Sequence, residues 1–369
     1  MVPKKIFVAL GTRPEAIKLA PVIIALRREA DAFECEVCGT AQHREMLDQV
    51  LEVFGISLDF DLSLMRSEQA PSDVISRGLP LLMDALAKSA PDLVLVQGDT
   101  ASTFAAALAA FLSKIRVAHV EAGLRTFCKS DPFPEEMSRR LTSALCDLHF
   151  APTERARENL LSEGVPEANV LVTGNTVVDA LFYVLNRQPT GRASALVKSS
   201  SRLILVTAHR RESFGAPLCR ICSALKMLAK QHPDCEIVFP VHPNPNVRSV
   251  VMPQLSGIKN IRLVEPMNYD EFVFLMKEAY LILTDSGGIQ EEAPSLGKPT
   301  LVLRDKTERP EGQEAGVAIL VGSDPDKILD ETTRLLIDKE YYRSVAPHGN
   351  PFGDGRASER IVKFLKERA

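Results

Sequence analysis

Short runs of Val, Ile and Leu alternate with amphipathic stretches along this chain, and the alternation predicts its fold. In the first half, the strands are predicted at "KIFVALG", "ECEVCGT", "DLVLVQGD", "RVAHVEAG", "LHFAPT" and "NVLVTGN". Helices are predicted at about 14–29 and at "HREMLDQVLEVF", "TASTFAAALAAFLSK", "EEMSRRLTSALCD" and "ERARENLLSEG". Continuous apolar runs between helices are typical of parallel strands that are covered on both faces.

The same pattern restarts after the polar segment "NRQPTGRASALVKSSS". Further strands are predicted at "RLILVTAHRRESFG", "CEIVFPVHP", "IRLVEPM", "YLILTDSGG" and "PTLVLRD". The fold class is therefore α/β, with two doubly wound (Rossmann-like) parallel-sheet domains at 1–180 and 181–369. The last helix, at about 357–369, could pack back on the N-terminal domain. Because such sheets bind ligands beyond the carboxyl ends of their strands, we expect the site in the cleft between the domains.

The composition narrows the functional class. The 369 residues are 45% hydrophobic and 25% charged, which is typical of a soluble globular protein, and the formal net charge is -4. A net negative charge argues against a nucleic-acid partner. The apolar run at the N-terminus is too short for a signal peptide, and no run approaches the ~18 residues that cross a bilayer. We expect a cytoplasmic protein with no membrane partner.

The seven cysteines are an odd number, as expected of reduced thiols in a cytosol. Cys35 and Cys38 lie on a predicted strand, where positions i and i+3 point to opposite faces. Cys219 and Cys222 share the core face of a predicted helix. Buried free thiols therefore explain both pairs better than zinc does, and we expect no metal site.

A glycine pair in "TDSGGIQEE" lies between a predicted strand and a predicted helix. Ser286, Gly287 and Gly288 form either a diphosphate site at a helix N-terminus or a plain turn capped by Ser286. The segment has neither the Lys-Ser/Thr of a P-loop nor a G-x-G-x-x-G fingerprint. Glu291 and Glu292 then either bind a ribose diol or only favour the helix dipole.

Carboxylates end two other strands. Asp99 follows "VQG" and is either an acid/base group or the N-cap of the next helix. Glu121 lies between an apolar strand and Ala122-Gly123, where a purely structural role is harder to explain. Glu135 and Glu136 open a helix, and either could be a general acid or base or an ordinary helix-start acid.

Cations and histidines occupy the remaining strand ends. Arg13 and Lys18 follow the first strand in "GTRPEAIK" and could hold a diphosphate leaving group, or could be surface charges. His209 stands with two arginines, and His242 ends the next strand, which suggests anion or acid/base work. The residues alone indicate a two-domain α/β enzyme with a diphosphate site and do not name the reaction.

At these residues the sequence resembles the non-hydrolysing UDP-N-acetylglucosamine 2-epimerase family. The resemblance runs from Gly11 to Ile361 in order. It is carried by "GTRPEAIKLAPVI", "QHREMLDQVL", "VQGDTAST", "HVEAGLRT", "PFPEEMSRRLTSALCDLHFAPT", "VTGNTVVDAL", "VTAHRRESFG", "PVHPNPNV", "TDSGGIQEEAPSLGKPTLVLRDKTERPEG" and "NPFGDGRASERI". It implies a fold like that of the B-type glycosyltransferases and a cytoplasmic homodimer. It also implies reversible epimerisation of UDP-N-acetylglucosamine at C2, through elimination of UDP and a 2-acetamidoglucal.

The resemblance further implies that no cofactor is needed and that the product supplies N-acetylmannosamine-type sugars for bacterial cell-surface polysaccharide. It assigns acid/base roles to Asp99, Glu121, Glu135 and His209. It assigns contacts with phosphate or the leaving group to Arg13, Lys18 and His242. The remaining substrate contacts that it implies are Ser286, Gly287 and Gly288 at the diphosphate, Glu292 at the ribose and Phe272 at uracil.

The chain departs from the family pattern at Phe127-Cys128, where Gly-Asp is common, and at Ser138 and Ser213, where asparagine is usual. These changes bear on loop closure and rate more than on reaction type. Three alternative functions stay open: a UDP-sugar glycosyltransferase of the same fold, a hydrolysing epimerase that releases N-acetylmannosamine and UDP, and a non-catalytic UDP-sugar sensor. A sensor would have little need for Asp99, Glu121 and Glu135 together.

Overall fold

A computed structural model describes residues 2–40, 44–64, 70–187, 193–197, 202–346 and 349–368. The chain forms two compact units. The first combines Met1–Tyr183 with Gly353–Ala369, and the second is Val184–Phe352. Each unit is built on its own parallel β-sheet.

The first unit contains a seven-stranded parallel sheet in the order β3-β2-β1-β4-β5-β6-β7. Its strands are β1 (Lys4–Leu10), β2 (Phe33–Gly39), β3 (Phe60–Asp61), β4 (Leu93–Gln97), β5 (Arg116–Val120), β6 (Leu148–Ala151) and β7 (Val170–Val172). All five residues of β4 are buried, which explains its continuous apolar sequence.

Helices cover this sheet. They are α1 (Arg13–Arg28), α2 (Arg44–Phe54), α3 (Pro71–Ser89), α4 (Ala101–Leu112), α5 (Glu135–Leu145), α6 (Glu154–Ser162), α7 (Thr176–Leu185) and, from the C-terminus, α15 (Ala357–Arg368). Asp179 attaches α15 to α7, because its carboxylate accepts hydrogen bonds from the backbone N–H groups of Ala357 and Ser358 at 3.1 and 2.8 Å. That carboxylate satisfies donors at the N-terminus of α15 that otherwise lack a partner in the helix.

The second unit contains a six-stranded parallel sheet in the order β10-β9-β8-β11-β12-β13. Its strands are β8 (Arg202–Thr207), β9 (Cys235–Pro240), β10 (Ile261–Val264), β11 (Leu281–Thr284), β12 (Thr300–Val302) and β13 (Ala318–Leu320). Its helices are α8 (Ala216–Gln231), α9 (Pro245–Leu255), α10 (Tyr269–Glu278), α11 (Gly287–Glu292), α12 (Pro310–Glu314), α13 (Pro325–Ile337) and α14 (Lys339–Val345).

Each sheet reverses its strand order once, and the two reversals are equivalent. In the first unit the chain crosses between β1 and β4, and in the second between β8 and β11. The loops beyond such a pair diverge to opposite faces of the sheet and leave a crevice at the carboxyl ends of the strands. Each unit therefore has one position at which its fold favours a ligand.

The predicted fold class is confirmed: both sheets are parallel, doubly wound and flanked by helices. The elements that the sequence pattern overlooked include α3, α7, β3 and β13. The interior Pro80 of α3 weakens its helical signal. No helix in the described segments is both long enough and apolar enough to cross a membrane.

Candidate functional site

The crevice of the first unit is lined by the loops that follow β1, β4 and β5. We call its polar residues the N-terminal cluster: Arg13, Glu15, Lys18, Gln97, Asp99, Glu121, Arg139 and Asn175. The side chains of Glu15, Lys18 and Glu121 are all buried, with at most 8% of each residue exposed. A buried group of opposite charges must be paired to be tolerated, and here Lys18 pairs with Glu121 and Arg139 with Asp99.

Glu121 is the centre of this cluster. Its backbone has a φ of 62°, which is uncommon for a residue other than glycine and directs the side chain away from the course of β5. The Nζ atom of Lys18 donates to Oε1 of Glu121, and the side-chain amide of Gln97 donates to Oε2. Asn175 donates to Oε1 at 3.1 Å. Donors from α1, β4 and the loop before α7 thus hold one carboxylate in a fixed orientation.

Asp99 lies on the next loop and is held by an arginine. Nε and Nη2 of Arg139 donate to Oδ2 of Asp99 at 3.1 and 2.6 Å. Asp99 does not cap α4, since the N-cap is Thr100, whose hydroxyl accepts from the N–H of Thr103. The N-cap interpretation of Asp99 is therefore wrong, and the carboxylate is available for another role.

A buried histidine supports the turn that carries Asp99. Nε2 of His119 lies 2.7 Å from the carbonyl oxygen of Gly98, which has a φ of +80°. Burial lowers the pKa of His119 to about 3, so the ring is neutral and donates Nε2–H to that carbonyl. Its role is to fix the turn rather than to exchange protons at neutral pH.

Glu15 joins the loops after β1 and β4 but was not singled out from the sequence. Its carboxylate accepts from the N–H groups of Gly11 and Thr12 at 2.5 and 2.9 Å. The hydroxyls of Thr100 and Thr103 also donate to it. Burial raises the pKa of Glu15 against the opposing effect of these hydrogen bonds. The capping-box spacing Thr-x-x-Glu was the available sequence signal.

The two adjacent glutamates at the start of α5 differ in environment. Glu136 is fully buried, and its carboxylate accepts from the backbone N–H groups of Thr126 and Phe127 at 3.0 and 3.1 Å. Glu136 also lies 3.5 Å from Nη1 of Arg139. Glu135 is half-buried at the first position of the helix. Glu136 thus organises the preceding loop, and Glu135 stays the candidate for chemistry.

The crevice of the second unit is lined by the loops that follow β8, β9 and β11. We call its polar residues the C-terminal cluster: His209, Ser213, His242, Asp285, Ser286, Gly287, Gly288, Glu291, Glu292 and Arg309. The side chain of Arg211 lies outside the part of the structure that is described. Asp285 is completely buried and links the loops after β8 and β11. Its Oδ2 atom accepts from the N–H groups of His209 and Arg210, both at 2.8 Å, and from the Ser213 hydroxyl at 3.0 Å.

The two histidines of the C-terminal cluster stack on each other. The ring centroids of His209 and His242 are 5.4 Å apart with an interplanar angle of 13°. Burial lowers the pKa of both rings, and the Asp285 carboxylate partly opposes that shift at His209. The structure therefore brings these two predicted residues together at the carboxyl ends of neighbouring strands.

The glycine pair begins α11, as the sequence predicted. Ser286 occupies the N-cap position, and its side chain makes no capping hydrogen bond. A Cβ atom at Gly287 would lie 3.1 Å from Cζ of Arg309, whose Nε donates to Glu291 at 2.8 Å. The guanidinium therefore lies beside the turn, and Glu291 orients it. Arg309 was missed because it is distant in sequence from the glycine motif.

Glu292 is held from α10 rather than from its own helix. The hydroxyl of Tyr269 donates to Oε1 of Glu292 at 2.5 Å, and both residues are buried. Phe272 is half-buried one turn along the same helix, so Tyr269 and Phe272 share a face. The structure thus separates the two glutamates: Glu291 pairs with Arg309, and Glu292 pairs with Tyr269.

No group of three His, Cys, Asp or Glu side chains within the described residues is placed to hold a metal ion. The seven cysteines are free thiols. Burial raises the pKa of Cys38 and of Cys222 to about 12, so neither is a thiolate at neutral pH.

Comparisons with known proteins place this chain among close relatives. A family model described as UDP-N-acetylglucosamine 2-epimerase matches residues 25–366. The UDP-N-acetylglucosamine 2-epimerase of Yersinia pestis is 54% identical over 370 residues, which cover 98% of each chain. A crystal structure of UDP-GlcNAc 2-epimerase from Neisseria meningitidis, bound to UDP-GlcNAc, superposes with a TM-score of 0.94 at 49% identity. That superposition covers 99% of this chain and 100% of the other.

The fold extends to a more distant protein. MurG from Acinetobacter baumannii, which has the B-type glycosyltransferase fold, matches with a TM-score of 0.58 at 16% identity, over 99% of this chain and all of the other. This likeness concerns the fold alone. It confirms the predicted resemblance to that fold class.

Proposed function

The chain belongs to the UDP-N-acetylglucosamine 2-epimerase family, and on that premise we propose that it interconverts UDP-N-acetylglucosamine and UDP-N-acetylmannosamine without hydrolysing them. The observation that carries the proposal is the buried Glu121 carboxylate, oriented by Lys18, Gln97 and Asn175. A carboxylate fixed in this way is suited to proton transfer at one carbon of a bound sugar.

The chemistry of the substrate explains why elimination is the proposed route. The C2–H bond is not adjacent to a carbonyl carbon, so direct removal of its proton would leave an unstabilised carbanion. If a base takes the C2 proton while the bond from C1 to the diphosphate oxygen breaks, the electron pair forms a C1–C2 double bond. The products are a 2-acetamidoglucal and UDP, and the return of both proton and UDP gives either epimer.

Asp99, Glu121, Glu135 and His209 are the proposed acid/base residues of this route. Two of the carboxylates have a cationic neighbour, Lys18 at Glu121 and Arg139 at Asp99. A neighbouring cation favours the charged form of a carboxylate, which is the form that accepts a proton, whereas protonation of C2 on the opposite face requires a different group. At least two of the four residues must therefore take part, and their individual steps remain to be assigned by mutation.

The C-terminal cluster is proposed to hold UDP throughout the reaction. Ser286, Gly287 and Gly288 would contact the diphosphate, and Arg309 lies beside the same turn with a charge that suits it. Glu292, oriented by Tyr269, would accept the ribose hydroxyls, and Phe272 would flank uracil. His242, Arg13 and Lys18 would stabilise the leaving diphosphate. Retention of UDP matters because, once UDP has left, the 2-acetamidoglucal cannot return to either UDP-sugar, and addition of water to it would give the free sugar.

No cofactor enters this scheme, because the C2 carbon is neither oxidised nor reduced overall. We further propose that the product supplies N-acetylmannosamine-type sugars for bacterial cell-surface polysaccharide. The homodimeric state, the cytoplasmic location and the domain boundary at residue 180 stay predictions.

Proton NMR of the purified protein with UDP-N-acetylglucosamine in deuterated water tests the proposal. We expect UDP-N-acetylmannosamine with deuterium at C2, and progressive deuteration of the remaining substrate. Free N-acetylmannosamine with UDP would contradict the non-hydrolysing assignment. An unchanged spectrum, with UDP binding shown separately, would contradict catalysis and favour a transferase or a sensor. Substrate without protein is the matched control for spontaneous exchange.

A further inference from the structure

One buried carboxylate in the C-terminal cluster has no role in the route above. Asp285 lies between β11 and the glycine turn and is 0% exposed. A fully buried aspartate costs several kcal/mol unless its oxygens are hydrogen-bonded, so its presence at a ligand-binding turn needs a reason.

The two carboxylate oxygens of Asp285 have different environments. Oδ2 accepts from the backbone N–H groups of His209 and Arg210 and from the hydroxyl of Ser213. Oδ1 is also buried and accepts no hydrogen bond within the part of the chain that the structure describes. It lies 3.6 Å from Nδ1 of His209. That separation is slightly beyond a hydrogen bond, and a shift of a few tenths of an ångström would make one.

We infer that Asp285 is a positioning residue for His209, fixing its backbone through Oδ2 and its ring tautomer through Oδ1. The inference rests on the proposed function, in which His209 belongs to the acid/base group. A carboxylate facing Nδ1 can only accept a hydrogen bond, so it selects the form of the neutral ring that carries its proton on Nδ1. Nε2 is then the nitrogen with a lone pair that can accept or deliver a proton.

Other charged groups around His209 do not replace this effect. Arg210 follows it on the same loop and opposes protonation of the ring, and His242 from the loop after β9 stacks on its face. The face of an imidazole has no lone pair, so stacking cannot choose between the ring nitrogens. Of the groups named, Asp285 is the one that faces Nδ1 and can only accept.

Ser213 donates a hydrogen bond to Asp285 at a position where the chain departs from its family pattern. Asparagine is usual at this position, and the serine hydroxyl still donates to Oδ2 of Asp285 at 3.0 Å. The shorter serine side chain therefore still supplies a donor to the carboxylate.

The test is nitrogen-15 NMR of the imidazole rings in the protein without substrate, with His209 assigned from its absence in His209→Gln. In the wild-type protein we expect the neutral His209 ring to carry its proton on Nδ1. In Asp285→Asn, the amide oxygen must replace Oδ2 as the acceptor of the backbone N–H groups. The amide NH₂ then faces Nδ1 and donates to it, so the proton should move to Nε2.

The same substitution should lower the pKa of His209 further, because it removes the negative charge that opposes the effect of burial. We also expect the turnover number to fall by about tenfold or more, as for loss of a positioned acid/base group. Asp234→Asn is the matched control, since Asp234 is an exposed aspartate of the same unit that pairs with Arg202. It should change neither the tautomer nor the titration of His209.

A merely structural role for Asp285 would lower the melting temperature of Asp285→Asn and leave the tautomer unchanged, and that result would overturn the inference. An Nε2–H ring in the wild-type protein would overturn it as well, even if the variant failed to fold. Because both readings are made without substrate, they are independent of product formation. Absence of epimerised product with the expected tautomer would instead count against the proposed function.

Discussion

The two crevices hold their central carboxylates in opposite ways. In the first unit, Glu121 is held by the side chains of Lys18, Gln97 and Asn175, which come from separate elements. In the second unit, Asp285 is held mainly by backbone N–H groups of the loop that follows β8. The first arrangement orients a carboxylate within a set of side chains, whereas the second uses a carboxylate to orient a loop.

Other acidic residues beside the crevices also differ in whether backbone N–H groups or side chains hold them. Glu15 and Glu136 accept backbone N–H groups, as Asp285 does, and each fixes a loop beside a crevice. Asp99 and Glu292 are instead held by side chains, those of Arg139 and Tyr269. Backbone groups cannot be removed by mutation, so a backbone-held carboxylate is suited to defining shape. A carboxylate held by side chains keeps room for a substrate and is suited to chemistry.

The largest effect is expected at Glu121. Glu121→Gln keeps the size of the side chain but removes its basicity, and we expect turnover to fall by about 10³-fold because a positioned acid/base group is lost. UDP affinity should change little, since most of the proposed UDP contacts lie in the C-terminal cluster and the substitution keeps Arg13 and Lys18. Turnover from the NMR assay and UDP affinity from calorimetry would be measured on the same preparation.

Glu34→Gln is the control for that substitution. Glu34 is an exposed glutamate of the same sheet, paired with Lys5, and its loss should leave turnover within about twofold. Near-normal turnover of Glu121→Gln would remove Glu121 from the mechanism and would end the proposed division between the two kinds of carboxylate.

The adjacent Glu135 and Glu136 test the same distinction between a carboxylate suited to chemistry and one that fixes a loop. Glu136→Gln should destabilise the protein by about 1–3 kcal/mol, because it removes the charged acceptor of two partly buried backbone N–H groups. Glu135→Gln should leave the melting temperature nearly unchanged and reduce turnover by about 10²-fold. Thermal melts and turnover of both variants, measured in parallel, form their own controls. The reverse pattern, with activity lost at Glu136 and stability lost at Glu135, would contradict the assignment.

Much of this arrangement was accessible from the sequence because apolar runs and strand ends are local features. The eleven strands predicted from such runs lie in the two sheets. Among the residues singled out from the sequence, the structure brings Lys18 to Glu121 and His209 to His242. The partners Asn175 and Arg309 were not accessible, because they reach their targets from parts of the chain 54 and 18 residues away. A local sequence pattern does not specify which buried acceptor will bind an amide or guanidinium that is distant in sequence.

At Asp99 a local pattern instead suggested a role, that of N-cap, which the structure does not show. The local pattern Asp-Thr before an alanine-rich helix allows either residue to cap it, and the choice depends on Arg139, which lies 40 residues further on and holds the aspartate. The role of Glu136 was left open for the same reason, since its donors belong to a loop whose course the sequence does not specify.

The smallest effects should come from removal of one donor in each crevice, and they compare the two arrangements directly. Asn175→Ser removes the amide that donates to Glu121 but keeps a good N-cap residue ahead of α7. A hydrogen bond to a charged group contributes about 1.5–3 kcal/mol, so turnover should fall by about tenfold.

Ser213→Ala removes one of the donors to Asp285 and leaves the backbone N–H groups of His209 and Arg210 in place. Turnover should then fall by less than about threefold, because the retained donors fix the same oxygen. Equal losses in the two variants, measured by the same NMR assay, would show that the source of the donors does not matter.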